Sequence, residues 1–339
     1  MILISAAGSG GTNELVRGSS QEFIGITNNR YKLFTSVLAV NILVPSATDE
    51  ENYIKKVNEI IKEYAIELFI PNSDIEVYIV SKNLHKIETK TFLPSVETVA
   101  VTLDKWKFYQ KMKSLNVSVA KTFLINEKQD IVKAFEHLKQ TPLWCRVRDG
   151  AGSKYTSKVI TPEDAQAYIE HCLNVYNLKM DDFLISEYLG GEDFAVMTIW
   201  KKGMLKLCKM AKRVAYIGAA GESPPNVIET FYDENVHTFV EEAIKKLDSD
   251  ADGILNVDMK CYSDGSYAIT EINAGRFYYN MPLFNYGELN AFEAFFNIVD
   301  GKEIVKMSDD PEVIFIREQD NRPVVIEKKV FQNTKEVYP

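Results

Sequence analysis

Residues 253–277, GILNVDMKCYSDGSYAITEINAGRF, constrain the fold more than any other stretch of the 339-residue sequence. Alternation predicts a strand with Leu255, Val257, Met259 and Cys261 on one side, and a second with Ala268, Thr270 and Ile272 on that same side. Between them lies Ser263-Asp264-Gly265-Ser266. Asp-Gly is a strong hairpin signal, because a type I′ turn needs φ > 0 at both central residues. Counting outward from a two-residue Asp264-Gly265 loop sets Tyr262 opposite Tyr267, Lys260 opposite Ile269, Asp258 opposite Glu271 and Asn256 opposite Asn273. Directly opposed side chains lie about 5 Å apart at Cβ, so two carboxylates face each other with amides beside them. Like charges so placed repel unless a cation lies between them. Oxygen donors of this kind suit a hard divalent ion, Mg²⁺ above all, with Mn²⁺ as a substitute. The plain alternative is a solvated polar face on which acids happen to align.

The length favours about two domains with a substantial core. A formal charge of −9 argues against nucleic acid and anionic membrane as partners, since both favour basic surfaces. No apolar run reaches the ~20 residues that span a bilayer. The opening MILISAAGSGG lacks a basic leader and reads as a buried strand rather than a signal peptide. Cys145, Cys172, Cys208 and Cys261 are far apart, which implies reduced thiols and a cytoplasmic setting. His85, His137, His171 and His237 form no zinc pattern.

Residues 1–100 read as a parallel α/β domain. Its strands are Ile2–Ala7, Glu22–Thr27 and Leu68–Ile70. A helix opened by a Thr48-x-x-Glu51 capping box carries Ile54, Val57, Ile60, Ile61 and Tyr64 on one face. Gly8-Ser9-Gly10-Gly11 suggests a dinucleotide loop, but Asn13 replaces the third glycine and Asn28-Asn29 the expected acid. We read it as a tight turn whose helix start, at Gly10, can attract an anionic substrate group. Asp74 and Glu76 follow a strand's carboxyl end, where open α/β sheets bind ligands. They either hold a substrate amino group or cap the next helix. Residues 92–102 read as a linker, with Asp104 capping the helix that follows and Trp106, Tyr109, Met112 and Leu115 facing inward. Arg146 lies on the strand Leu143–Arg148, before Gly150-Ala151-Gly152-Ser153. Glycines there allow backbone N–H groups to approach phosphate oxygens, and Ser153 adds a donor. Residues 218–226 read as a loop near the site. Short strands are predicted at Val313–Ile316 and Val324–Ile326.

An acid on one strand, then Glu271-x-Asn273 on the next and Arg276 beyond, resembles the metal-binding signature of the ATP-grasp superfamily ligases. The likeness is to carboxylate–amine ligases and to the large subunit of carbamoyl phosphate synthetase. It spans roughly Gly8 to Phe277, with one extra residue before the arginine. It implies an α/β and α+β fold: an N-terminal parallel domain over residues 1–100, then a two-lobed ATP-grasp domain over 101–339. The nucleotide lid lobe would cover about 116–190 and the metal lobe about 191–339.

The resemblance also implies roles. Asp258, Glu271 and Asn273 would hold Mg²⁺ against ATP. Lys105, Arg146, Gly150, Gly152 and Ser153 would contact phosphate. Glu187 and the Leu189 backbone would read the base, and Glu192 would take the ribose. Arg276, with Arg213 or Lys212, would face the transferred phosphoryl group, and Lys209 is the third basic residue of that run. The implied activity is ADP-forming ligation of a small carboxylate to an amine or ammonia, with a homodimer allowed. Two other readings stand beside it: a nucleotide-binding regulatory protein without catalysis, and a single-unit enzyme that activates bicarbonate or carbamate.

Overall fold

The computed structural model describes residues 1–150, 154–216, 225–278, 281–287, 289–302, 304, 312–316 and 337–338. Its N-terminal lobe runs β1 (Ile2–Ile4), α1 (Gly10–Arg17), β2 (Phe23–Thr27), α2 (Arg30–Leu33), β3 (Val40–Leu43), α3 (Glu50–Glu63), β4 (Leu68–Ile70) and α4 (Asp74–Lys82). The strands β3-β2-β1-β4 pair in parallel, as alternating strands and helices require. Tyr53, Ile54, Val57, Ile60 and Ile61 bury the apolar stripe of α3. The expected Thr48–Glu51 box does not form: Asp49 holds the N-cap position without a side-chain bond to the helix backbone, and its carboxylate accepts from the Asn52 side chain.

The predicted linker contains a helix. α5 (Val96–Leu103) starts at Ser95, whose hydroxyl accepts from Thr98 N, and α6 (Lys105–Ser114) starts at Asp104. Phe108, Tyr109 and Met112 are buried on α6, while Trp106 and Leu115 are only partly so.

The second lobe runs β5 (Thr122–Ile125), α7 (Lys128–Leu138), β6 (Leu143–Val147), β7 (Thr156–Val159), α8 (Pro162–Tyr176) and β8 (Phe183–Glu187). Its sheet has the order β5-β8-β6-β7. Leu143, Cys145 and Val147 pack against residues of α7 and α8, including Ile131 and Ile169. Trp144 and Arg146, at alternate positions of β6, are excluded from that core.

The third lobe runs β9 (Asp193–Lys201), β10 (Met204–Tyr216), β11 (Pro225–Phe231), α9 (Glu234–Leu247), β12 (Gly253–Cys261), β13 (Tyr267–Ala274), α10 (Met281–Phe284), α11 (Ala291–Val299) and β14 (Ile314–Ile316). These strands form the sheet β13-β12-β9-β10-β11-β14. Ala195, Met197, Ala211 and Ile254 pack on one face with α11 and residues of the N-terminal lobe. Phe194, Val196, Met210, Leu255 and Val257 pack on the other with α9 and α6. A last strand, β15 (Val337–Tyr338), returns antiparallel to β3 and extends the N-terminal sheet. The strand predicted at Val324–Ile326 lies outside the described residues. Among the described residues no helix is long and apolar enough to cross a membrane.

The β12–β13 hairpin corrects two expectations that cancel. Its loop has three residues, closed by Gly265 N to Tyr262 O and by Tyr262 N to Ser266 O, with Gly265 at φ +83°. The pairing near the turn is therefore offset by one, with Cys261 opposite Tyr267, Lys260 opposite Ala268 and Met259 opposite Ile269. A register shift follows Asp258, leaving Thr270 as an extra residue on β13. Its hydroxyl donates to Asp258 O at 3.1 Å. Ile269 and Ile272 consequently join the core beneath the hairpin, and Thr270 does not. Past the bulge, Asp258 opposes Glu271 and Asn256 opposes Asn273 as expected.

Candidate active site

The rung that pairs Asp258 with Glu271 lies at the centre of a polar cluster. The Asp258 carboxylate accepts from Arg213 Nη2 at 2.5 Å, from the Tyr278 hydroxyl at 3.0 Å and from Asn273 Nδ2 at 3.4 Å. Arg213 Nη1 donates to Asp193 at 2.8 Å. Asp193 also accepts from the Tyr216 hydroxyl and lies 3.2 Å from Lys260 Nζ. Burial pushes the Asp258 carboxyl up to about 6; Arg213 opposes this, and the acids Glu271 and Asp193 add to it.

Glu271 lies 3.9 Å from Lys105 Nζ, which donates to Gly150 O at 2.7 Å. Arg146 Nη2 reaches Thr270 O at 3.4 Å. Burial lowers the Arg146 pKa, and Glu271 beside it works against that. Lys105, Arg146, Asp258, Glu271, Asn273 and Arg213 thus meet at one place, drawn from α6, the four-stranded sheet and the third lobe.

What this cluster can hold follows from its unsatisfied atoms. Arg146 Nε and Arg213 Nε are buried without a hydrogen-bond acceptor among the described residues. Buried N–H groups are nearly always paired, and those of a guanidinium suit phosphate oxygens. A polyphosphate fits. Among the described residues no three His, Cys, Asp or Glu side chains could hold a metal by themselves. Magnesium does not require them: it takes one or two carboxylates and completes its shell with water and phosphate oxygens. Asp258, Glu271 and the Asn273 oxygen fit that demand.

Arg276 turns towards the N-terminal lobe. Its Nε donates to Asp74, and its Nη2 to Asn273 Oδ1 at 2.5 Å. Asp74 therefore engages a protein cation at the start of α4. The Glu76 carboxylate is buried apart from the cluster. It accepts from the hydroxyls of Ser5 at 2.6 Å, Ser73 at 2.5 Å and Tyr53 at 3.2 Å. Gly10 opens α1, whose Thr12 hydroxyl accepts from Asn72 Nδ2 at 3.1 Å. Asn72 Oδ1 in turn accepts from Phe277 N at 3.0 Å, which ties the α1 start to the residue after Arg276.

At the end of β8, Glu187 faces the protein rather than open space. It accepts from Lys121 N at 2.9 Å and the Tyr262 hydroxyl at 3.1 Å, with Lys121 Nζ at 3.0 Å. Leu189 is buried with Ala120 and Ala268. Lys209 Nζ donates to Tyr286 O at 3.0 Å.

Lys212 and Glu192 are not brought to the cluster. They pair with each other and line a cavity of about 510 Å³ with Phe194, Val236 and Tyr267. Adjacent residues of a strand point to opposite faces, and Arg213 takes the face of Asp258. Gly152 and Ser153 lie outside the described residues, as do 217–224 of the predicted loop; Pro225 and Asn226 begin β11.

Asp193 and Tyr278 were missing from the sequence-based set. The period of two would have found Asp193, because it alternates with Phe194 in step with Ala195 and Met197. Tyr278 lies beyond the strand end, where no period applies.

The ATP-grasp domain family matches residues 102–277. No curated protein matches the chain. Among solved structures, N5-carboxyaminoimidazole synthetase from Staphylococcus aureus is similar at 11% identity and TM-score 0.69, over 92% of this chain and 80% of that one. Biotin carboxylase from Campylobacter jejuni, in its β,γ-ATP complex, is similar at 14% and 0.66, over 90% and 72%. L-amino acid ligase from Bacillus licheniformis is similar at 12% and 0.63, over 87% and 72%. At such identities the likeness is one of fold.

Proposed function

Because the chain belongs to the ATP-grasp domain family, we propose that it is an ADP-forming ligase that joins a small carboxylate to an amine or ammonia. The carrying observation is the facing pair Asp258 and Glu271, ringed by Arg213, Arg146 and Lys105. Arg146 and Arg213 offer their unpaired Nε atoms to phosphate oxygens, and Lys105 adds a charge at the glycine loop. Asp258, Glu271 and Asn273 would hold Mg²⁺, or Mn²⁺ in its place. An ion held there would supply neutralisation of the phosphate charge.

In the proposed reaction a substrate carboxylate oxygen attacks the γ-phosphorus of ATP. The bond to the β–γ bridging oxygen breaks, and ADP leaves. The amine nitrogen then attacks the acyl carbon and expels phosphate. Such phosphoryl transfer rests mainly on positioning and charge stabilisation, which this set of arginines and lysine supplies. The similar structures named as a carboxylase, a synthetase and a ligase support the reading, and bicarbonate stands among the carboxylates to be tried. Four buried free cysteines support a reducing cytoplasm as its setting.

The test is a screen of carboxylic acids and bicarbonate against amino acids, amines and ammonia, read by ADP release and product mass. A productive pair whose turnover disappears in Asp258→Ala is expected. Nucleotide binding with no ADP formed across the screen would instead favour a regulatory protein.

A further inference from the structure

The arginine after the Glu271-x-Asn273 pair is one residue further along than in the pattern Glu-x-Asn-x-Arg, and the structure shows where the extra residue leads. Gly275 has φ +79°, a conformation that side-chain-bearing residues rarely adopt. Its N–H still reaches Ile254 O at 2.7 Å, so the ladder continues to this residue and then breaks. A Cβ at Gly275 would lie 2.4 Å from Val77 Cγ1 on α4, so the backbone is pressed directly against the N-terminal lobe. Arg276 O accepts from buried Asn256 at 2.8 Å, and Phe277 N donates to Asn72. With the backbone fixed on both sides, the guanidinium spans Asp74 on one lobe and Asn273 on the other.

We infer that Asp74 is the positioning residue of Arg276, and that the turn at Gly275 commits this arginine to the junction of the lobes. Arg213, held between Asp193 and Asp258, is left as the arginine of the phosphate side. The inference rests on the ligase reading for its effect on turnover, but not for the pairing itself. Asp74 acts through the guanidinium: it fixes Nε, while Asn273 fixes Nη2 and in turn donates to Asp258. Misplacing such a group by an ångström costs up to about a hundredfold in rate.

The test uses the full chain with the substrate pair found by the screen. Asp74→Ala is expected to lower kcat by about tenfold to a hundredfold, with the KM for MgATP and the affinity for a non-hydrolysable ATP analogue unchanged. Asp74→Asn, which keeps an acceptor oxygen for Nε, should recover part of the loss. Asp74→Ala added to Arg276→Gln should cost nothing more. An effect confined to the KM of the amine would overturn the inference and make Asp74 a substrate contact. Full additivity with Arg276→Gln would overturn it as well. Thermal unfolding of the two single variants and the double reads the pairing without turnover: the double should melt no lower than the worse single, and additive losses would refute it. A wild-type chain that releases no ADP with any acceptor sinks the ligase reading alone, and the unfolding cycle still decides the pairing.

Discussion

The two faces of the six-stranded sheet both carry charged residues but treat them differently. On the face closed by the N-terminal lobe, Asp193, Arg213, Asp258 and Asn273 contact one another in a continuous chain of short polar contacts. Their side chains are largely withdrawn from water, and two guanidinium N–H groups of the cluster have no acceptor among the described residues. On the face closed by α9, Lys212, Glu192 and Glu229 form ion pairs at a partly open rim over Phe194 and Tyr267. Exposed pairs of that kind contribute at most about 1 kcal/mol and need no ligand. Burial marks the first face as the site.

The comparison breaks most readily at the facing acids. Asp258→Ala and Glu271→Ala should each reduce ADP release by on the order of a thousandfold, measured with the productive substrate pair. If both variants turn over normally, the buried face is a structural network and nothing more. Next in size, Phe194→Ala on the α9 face should cost about 3 kcal/mol of unfolding free energy, since it removes a buried ring in contact with Phe231 at 5.2 Å. In the protein that remains folded, affinity for the ATP analogue should be unchanged when followed by calorimetry. The two faces would then be separable: one loses chemistry and the other stability.

A neighbouring pair on β10 sharpens the same contrast. Arg213→Gln should slow turnover by about a hundredfold, as expected for a charge aimed at the transferred group, whereas Lys212→Gln should stay within about twofold, as for a rim ion pair. Equal losses would mean that strand parity does not define the site.

These two residues also show how far the sequence could be read. The rung of Asp258 and Glu271 was legible only because two irregularities, each worth one residue of register, cancel before it is reached. Here the three-residue loop and the bulge at Thr270 offset each other. Lys212 and Arg213 look alike in sequence because both are basic, although period two allows only one of them to face the acids. Helix α5 was missed for a different reason. Val96-Glu97-Thr98-Val99-Ala100-Val101-Thr102-Leu103 is rich in β-branched residues of weak helix propensity. What secures it is the Ser95 cap and the burial of Val99 among Met112, Val117 and Leu255. Asp74 and Glu76 looked equivalent in sequence, and the half turn of helix between them sends the first to Arg276 and the second to Ser5 and Tyr53.

The smallest effect tests what supports the site face from below. Asn72, which receives Phe277 N, donates its own N–H to Ser5 Oγ at 2.8 Å, and that hydroxyl donates to Glu76. Burial raises the Glu76 carboxyl above its ordinary value near 4.5, although the hydroxyls of Ser5, Ser73 and Tyr53 pull the other way. The folded protein thus holds this proton more tightly than the unfolded chain does. From 4.5 upward, stability should fall as pH rises through the folded-state value, and Glu76 should contribute no further slope beyond it. Glu76→Gln cannot titrate and should lack this slope. The measurement is the difference in urea midpoint between Glu76→Gln and wild type from pH 4 to pH 8, with other carboxylates cancelling in the difference. It should move in favour of the glutamine variant as pH rises. A flat difference would show that the three hydroxyls offset the effect of burial, and one that moves the other way would show that they hold Glu76 as an anion, so that the support beneath Asn72 is charged like the site above it.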